Sequence, residues 1–340
     1  MIRYIPVDLW QKELRTLPVI DVRSPAEFSR GHIPGAINIP LFTDDERTAV
    51  SITYNQGAKQ KAIELGYQIA QPKLQWFIAH SSETAPDGEA VVHCWRGGMR
   101  SNAFATVLDN NGFRKVWVIE NGYKAYRNHV LASFENPFML RVLGGYSGSG
   151  KTEILHCLAK KGQQIIDLEG LANHRGSAFG GIDMPPQPTT EQFENDLLCV
   201  LQTLDPNKPV WIEDESNAIG RVNLPGSWFA QMSRSPLIFL NIPVHQRVKH
   251  LVDTYARMKQ EHLAESIRKL TKRLGYDQTR IALEALDKDD FQRVAEIMLY
   301  FYDKYYLKGS QKRDPSKVVE VVLNSVNHEE NAARLLQLSF

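Results

Sequence analysis

The sequence predicts two α/β domains in one chain, each built on a parallel sheet with helices on its faces. Three observations carry that reading. The length of 340 residues fits two domains of ordinary size. Short apolar runs alternate with helix-period patterns along most of the chain. A glycine-rich loop lies between an apolar run and a helical pattern in the second half. A composition 43% hydrophobic and 23% charged supports ordinary cores and excludes wholesale disorder.

The elements of the first domain follow in order. Residues 19–22 read as a buried strand, 36–39 as a second, 90–93 as a third and 116–119 as a fourth. Between the last two, residues 100–111 place Ala103, Phe104, Val107 and Leu108 at helical spacing. Strand, helix, strand in that order implies parallel pairing. Residues 44–75 are polar and helix-like, and 81–89 read as a turn-rich loop. The pattern weakens over 128–136 and Pro137 ends it, so the first domain is expected over 1–130, with a linker at 131–138. The second domain, 139–340, opens with a strand at 138–143 and continues with strands at 164–167, 210–213 and 237–240. A mostly helical extension follows over 244–307, then a last strand at 318–323 and a helix from Glu329. There is no internal repeat or low-complexity tract.

Forty Lys and Arg against 39 Asp and Glu leave a formal charge of +1, which gives no bulk support for a polyanionic partner. Three cysteines cannot form a disulfide framework, and none has CxxC spacing, so no metal set is assigned. A reducing cytoplasm fits best. The N-terminus lacks an apolar signal core, and no apolar run approaches the roughly 20 residues of a membrane span.

Residues 145–152, Gly-Tyr-Ser-Gly-Ser-Gly-Lys-Thr, fit G-x-x-x-x-G-K-[ST] between a strand and a helix. Backbone N–H groups of Gly145, Ser147, Gly148, Ser149 and Gly150 can close around phosphate oxygens. Lys151 supplies a mobile charge, and Thr152 could hold a magnesium ion. Glu213 and Asp214, with Glu215 behind them, are candidates for the carboxylate at the end of a neighbouring strand. No residue is assigned to adenine, so any phosphate or diphosphate fits the loop.

The second sharp feature is Cys94 with Trp95, Arg96, Gly97, Gly98, Met99 and Arg100, which join a strand to a helix. Loop N–H groups, a helix N-terminus and two arginines all favour the thiolate, the reactive form of cysteine. The same cradle would stabilise a persulfide or selenide. Cys157 and Cys199 lie in apolar helical patterns and read as core.

Residues 21–28 (DVRSPAEF) and 31–40 (GHIPGAINIP) resemble the opening signature of the rhodanese family, and Cys94 falls where that family carries its sulfur-accepting cysteine. The loop CWRGGMRS joined in one chain to GYSGSGKT resembles the tRNA 2-selenouridine synthase family, as do residues 167–180 and 212–216. The resemblance implies a rhodanese-like domain followed by a P-loop NTPase-like domain. It implies action on the wobble 2-thiouridine of tRNA, whose sulfur is replaced by selenium from selenophosphate through an S-geranyl intermediate made from geranyl diphosphate. No tightly bound cofactor is implied, and an enzyme that makes selenophosphate is an expected partner. Cys94 would serve the selenium step, by accepting selenium or by assisting removal of the geranyl thiol. Glu169, His174, Arg175 and Ser177 are candidates for the second-domain site, and Asp21, Arg23 and His32 are expected to shape the fold.

From 247 to 280, nine Lys and Arg stand against four Asp and Glu. Lys249, Arg257, Lys259, Arg268, Lys269, Lys272 and Arg273 are the candidate contacts to tRNA phosphates. Tyr300, Tyr302, Tyr305 and Tyr306 could stack bases, with helix packing the favoured reading for most of them. Two other readings compete. One is a rhodanese-type sulfurtransferase fused to a nucleotide-dependent kinase or ATPase. The other is a phosphate-regulated tRNA-binding scaffold with a vestigial thiol.

Overall fold

The computed structural model describes residues 1–177, 179–310 and 313–338, with the side chains of 305–310 left aside. It divides into two compact units, Met1–Ser133 with Glu194–Cys199, and Phe134–Phe193 with Val200–Phe340.

In the first unit the chain runs β1 (Ile2–Ile5), α1 (Val7–Glu13), β2 (Val19–Asp21), α2 (Pro25–Arg30), β3 (Ile37–Asn38), α3 (Asp44–Asn55), α4 (Lys59–Ala70), α5 (Leu74–Thr84), β4 (Glu89–His93), α6 (Met99–Asn110), β5 (Lys115–Ile119) and α7 (Gly122–Ser133). The sheet order is β1-β5-β4-β2-β3, and every ladder is parallel. Ala90, Val91 and Val92 of β4 are fully buried, because helices cover both faces of a parallel sheet. Phe77, Phe104 and Leu108 fill one of those layers. Two helices start on capping boxes, Ser24 with Glu27 and Thr43 with Glu46.

Beyond Phe134 the chain runs β6 (Leu140–Gly145), α8 (Lys151–Lys160), β7 (Gln164–Ile166), α9 (Leu168–Leu171), α10 (Thr190–Leu201, of which residues 194–199 count with the first unit), β8 (Val210–Glu213), β9 (Ala218–Ile219), β10 (Val222–Asn223), α11 (Gly226–Arg234) and β11 (Leu237–Asn241). It continues through α12 (Val244–Tyr255), α13 (Gln260–Lys269), α14 (Thr271–Leu274), α15 (Tyr276–Leu286), α16 (Phe291–Ser310), β12 (Val318–Val322) and α17 (His328–Leu336). The main sheet, β12-β11-β6-β8-β7, is again parallel. Helices α12–α16 form the expected extension around their own core, which includes Leu263, Ile267, Ala282, Leu286, Val294 and Met298. Among the described residues no helix is long and apolar enough to cross a membrane.

The elements depart from the sequence expectation in four places. Edge strand β1 was not expected, because Tyr4 is 56% exposed and charged Arg3 breaks the apolar run. Helix α5 continues to Thr84, into the stretch read as a loop from 81. Helix α7 continues through Ser133, so residues 131–133 are helical rather than linker. Phe134 is then fully buried, its ring 6.5 Å from Trp228. The small antiparallel hairpin β9–β10 was also unexpected.

In each sheet two adjacent strands, β4 and β2 in the first and β6 and β8 in the second, send the chain on toward opposite edges. The carboxyl ends of β4 and β6 are therefore the crevice positions where open α/β sheets bind ligands. Cys94 follows β4 and the glycine-rich loop follows β6.

Candidate functional site

In the first unit, Cys94 is only 4% exposed. Its Sγ lies 3.4 Å from Ser101 Oγ, a hydroxyl that also has the Gly98 carbonyl within reach at 3.1 Å. Burial pushes the thiol pKa up. The Ser101 hydroxyl, the Arg100 guanidinium and the N–H groups of Ser101 and Arg96 outweigh it, so the net direction is down, toward thiolate. Arg100 is held in place by Glu27 in a bidentate pair, 2.6 and 3.2 Å, and Arg47 lies 3.6 Å from the same carboxylate. Burial pulls the Arg47 pKa down, with the Arg100 charge adding to the effect.

The loop hangs on the first turn of α7. Tyr123 N–H donates to the Cys94 carbonyl at 2.8 Å and Lys124 N–H to the Trp95 carbonyl at 2.9 Å. That approach requires Gly122. It sits at φ +56°, and a Cβ there would lie 2.3 Å from the Cys94 oxygen. Trp95 and Met99 are exposed at the rim, 36% and 55%. Arg96 is also exposed, so it contributes its backbone N–H to the thiol while its side chain faces outward. Asp21 and Arg23 are wholly buried and paired at 2.6 Å. Arg23 also donates to the Gly31 carbonyl and lies 3.7 Å over the Tyr123 ring. His32 stacks on Phe28.

In the second unit, the loop from Gly145 to Gly150 wraps in the way phosphate loops do. Gly148 and Gly150 adopt φ +75° and +69°. Ser149 turns inward and donates to the Tyr146 carbonyl at 2.6 Å, and Ser147 offers its carbonyl to Arg247 at 3.1 Å. Arg247 is 2% exposed, bidentate to Asp303 at 2.9 and 2.8 Å, and 4.8 Å from the Tyr146 ring. It was counted in the basic run of the sequence, but here it is a buried brace for the phosphate loop. Lys151 Nζ donates to the Gly145 carbonyl at 3.2 Å.

Thr152 Oγ1 donates to Glu169 Oε2 at 2.8 Å. Glu213 is fully buried; its Oε2 accepts the N–H groups of Leu168 and Glu169 at 3.0 and 3.2 Å, and its Oε1 has no partner. Burial, with the charges of Glu169 and Asp167, pushes its pKa up to about 8. Burial also raises Glu169, although Lys151 pulls against it. Glu215, which the sequence placed behind its neighbours, is raised well above the usual range by burial and by Glu169. Lys151, Thr152, Glu169, Glu213 and Glu215 thus form one electrostatic cluster.

Asp214 adds its charge to Glu215, while its carboxylate pairs with Arg313 at 2.6 Å. His174 N–H donates to the Glu169 carbonyl and Arg175 N–H to the Gly180 carbonyl, both at 3.0 Å. The Ser177 hydroxyl accepts from Phe179 N–H at 3.2 Å. Each of these bonds is local, with His174 Nδ1 buried without a partner and the Arg175 side chain exposed.

The seven candidate cations on α12–α14 and the turn before α13 are all exposed. Lys269 pairs with Glu265 at 2.8 Å. Tyr300 is 68% exposed with Lys304 over its ring at 4.2 Å. Tyr302 packs against the helical core, and the side chains of Tyr305 and Tyr306 fall outside the described residues. Cys157 is buried and Cys199 partly so, and burial raises both pKa values.

The sequence reading missed Glu27, Arg47, Gly122, Arg247 and Asp303. Glu27 was visible as the fourth residue of the S-x-x-E box and Gly122 as an Asn-Gly turn. No local signal marks Arg247, because its role depends on a partner in α16.

The fold and the two loops define a class, a rhodanese-like domain with a buried loop cysteine joined in one chain to a phosphate-loop domain. A family described as the tRNA 2-selenouridine synthase AAA domain matches residues 138–331, and the rhodanese-like domain matches 7–129. A tRNA 2-selenouridine synthase of Sulfurovum sp. is 36% identical over 297 residues, 81% of this chain and 80% of that protein. Those of Nitrosomonas europaea (32% identical, 90% and 92%) and Marinobacter nauticus (35%, 82% and 82%) are similarly matched. The chain belongs to the tRNA 2-selenouridine synthase family.

Proposed function

We propose that this protein is a cytoplasmic transferase that converts the wobble 2-thiouridine of tRNA into 2-selenouridine, using geranyl diphosphate and then selenophosphate. The observation that carries the reading is the pairing of an activated Cys94 with a braced phosphate loop in one chain of this family.

In the first step the thiocarbonyl sulfur attacks C1 of geranyl diphosphate, the C–O bond breaks and diphosphate departs. The phosphate loop and Lys151 suit the departing charge. Alkylation turns the sulfur into a competent leaving group. Selenophosphate carries selenium at the selenide level, and cleavage of its P–Se bond by water yields phosphate and hydrogen selenide. Forming an S–Se bond on Cys94 from selenide would need a two-electron oxidant. Nucleophilic assistance needs none: the Cys94 thiolate adds at C2 of the base, the geranyl thiol leaves, and selenide then displaces Cys94. Arg100, fixed by Glu27, favours each anionic sulfur or selenium species there.

The unpartnered Glu213 Oε1 and the Thr152 hydroxyl are oxygen donors that fit a magnesium ion. Such an ion would supply further charge neutralisation to the diphosphate. The exposed cations from Lys249 to Arg273 are suited to tRNA phosphates. The test is nucleoside mass spectrometry on thiolated tRNA incubated with purified protein, geranyl diphosphate and selenophosphate. Formation of S-geranyl-2-thiouridine and then 2-selenouridine is expected. ATP hydrolysis with unaltered tRNA would overturn the proposal in favour of the kinase or ATPase reading.

A further inference from the structure

We infer that the second unit carries a transition-metal site of the zinc type, built by Glu153, His250 and His328 beside the phosphate loop. Glu153 lies in the first turn of α8, His250 in α12, and His328 is the first residue of α17. One ligand atom from each of the three lies within 4.8 Å of the others. Donors of a tetrahedral zinc site at about 2.0–2.2 Å lie about 3.3–3.6 Å apart, so side-chain rotations that draw the atoms in by about 1 Å close the set.

An orphaned ring nitrogen points to a ligand, and the packing around it leaves the room. His328 Nε2 is buried and has no hydrogen-bond partner, an arrangement that calls for an explanation. The two imidazoles meet edge to face, centroids 5.4 Å apart at 81°, rather than stacking. The bare backbone of Gly150 makes the room: a Cβ there would lie 2.7 Å from His328 Nε2.

Two imidazoles and one carboxylate are borderline donors, suited to zinc and its first-row neighbours rather than to magnesium. Three protein ligands leave a fourth position open. Glu153 and His328 also line a cleft of about 620 Å³ together with His156, Cys157 and Glu329. An ion here would clip the start of α17 to α8 and α12, and so hold His328 against the residue that precedes Lys151. It would stiffen the phosphate loop from outside the phosphate-binding face. The ligands are scattered over three distant stretches of sequence, which is why no spacing motif announces them.

The test uses full-length protein stripped with a chelator and titrated with zinc against a chromophoric competitor. Wild type should bind one equivalent that His250→Ala/His328→Ala lacks. Glu153→Gln changes an exposed side chain, keeps the fold and should weaken that equivalent roughly tenfold or more. Cobalt in place of zinc should give the visible bands of a four-coordinate site in wild type alone. At a hundredfold excess over Kd, zinc should raise the wild-type melting temperature by roughly 5–10 °C and leave the double variant unmoved. Equal zinc affinity and stoichiometry in all three proteins would overturn the site, as would absence of binding to folded wild type. Either result would make the cluster a polar contact only.

Discussion

Gly122→Ala should disable Cys94 from outside its own loop. Gly122 sits at φ +56°, where a side chain costs roughly 1–2 kcal/mol. Its new Cβ would lie 2.3 Å from the Cys94 oxygen, 2.5 Å from Gly97 nitrogen and 3.0 Å from Arg96 nitrogen, all backbone atoms that cannot rotate away. Relief requires α7 to draw back, which breaks the bonds from Tyr123 and Lys124 to the loop carbonyls. At about 1 kcal/mol each, the total loss is roughly 3–4 kcal/mol. Displacing Arg96 N–H and the loop should also disfavour the thiolate, so alkylation of Cys94 at neutral pH should slow at least tenfold. Gly98→Ala is the control: nothing lies within 4 Å of its added Cβ, and stability should change by less than about 1 kcal/mol. Urea unfolding and iodoacetamide labelling followed by intact mass read both effects, with Cys94→Ser giving the background from the other thiols. Gly122→Ala behaving like Gly98→Ala in both assays would refute the reasoning.

Other perturbations test the remaining parts. Arg100→Gln removes the cation that favours the Cys94 thiolate, so the pH midpoint of Cys94 alkylation should move upward, and an unchanged midpoint would dismiss Arg100 as the activating charge. Arg247→Met leaves Asp303 unpaired and frees the Ser147 carbonyl; the loss should be roughly 2–4 kcal/mol by urea unfolding, below that of a fully enclosed pair because Asp303 keeps some water, with weaker diphosphate binding by calorimetry. Glu213 is raised from 4.5 to about 8, so the folded state holds a proton that the unfolded state has released. Its contribution is fully present below the unfolded value and is lost as pH rises toward 8, at about 1.4 kcal/mol per pH unit. Glu213→Gln should flatten that fall in the urea midpoint of the second unit.

The parallel sheets were legible in the sequence because strands buried on both faces read as continuous apolar runs, as residues 90–93 and 210–213 do. Strand β1 was not, since an edge strand with Tyr4 and Arg3 exposed carries no such run. Both loops were legible because their chemistry is local: glycines, a lysine or cysteine and a helix start lie within eight residues. What orients them was not. Glu27 reaches Arg100, Gly122 reaches Cys94, and Arg247 joins Ser147 to Asp303 across long sequence separations. The surroundings of Asp214 and Glu215 also depend on distant partners. Successive residues leaving a strand point to opposite sides, and Arg313 captures the first.

The most direct measurement of the central claim is 2-selenouridine formation by Cys94→Ala protein on S-geranylated tRNA with selenophosphate, read by nucleoside mass spectrometry alongside tRNA affinity. Selenium incorporation should vanish while tRNA binding stays within about twofold of wild type, because Cys94 is buried and its removal alters none of the exposed cations on α12–α14. A Cys94→Ala protein that forms 2-selenouridine at the wild-type rate would contradict the account.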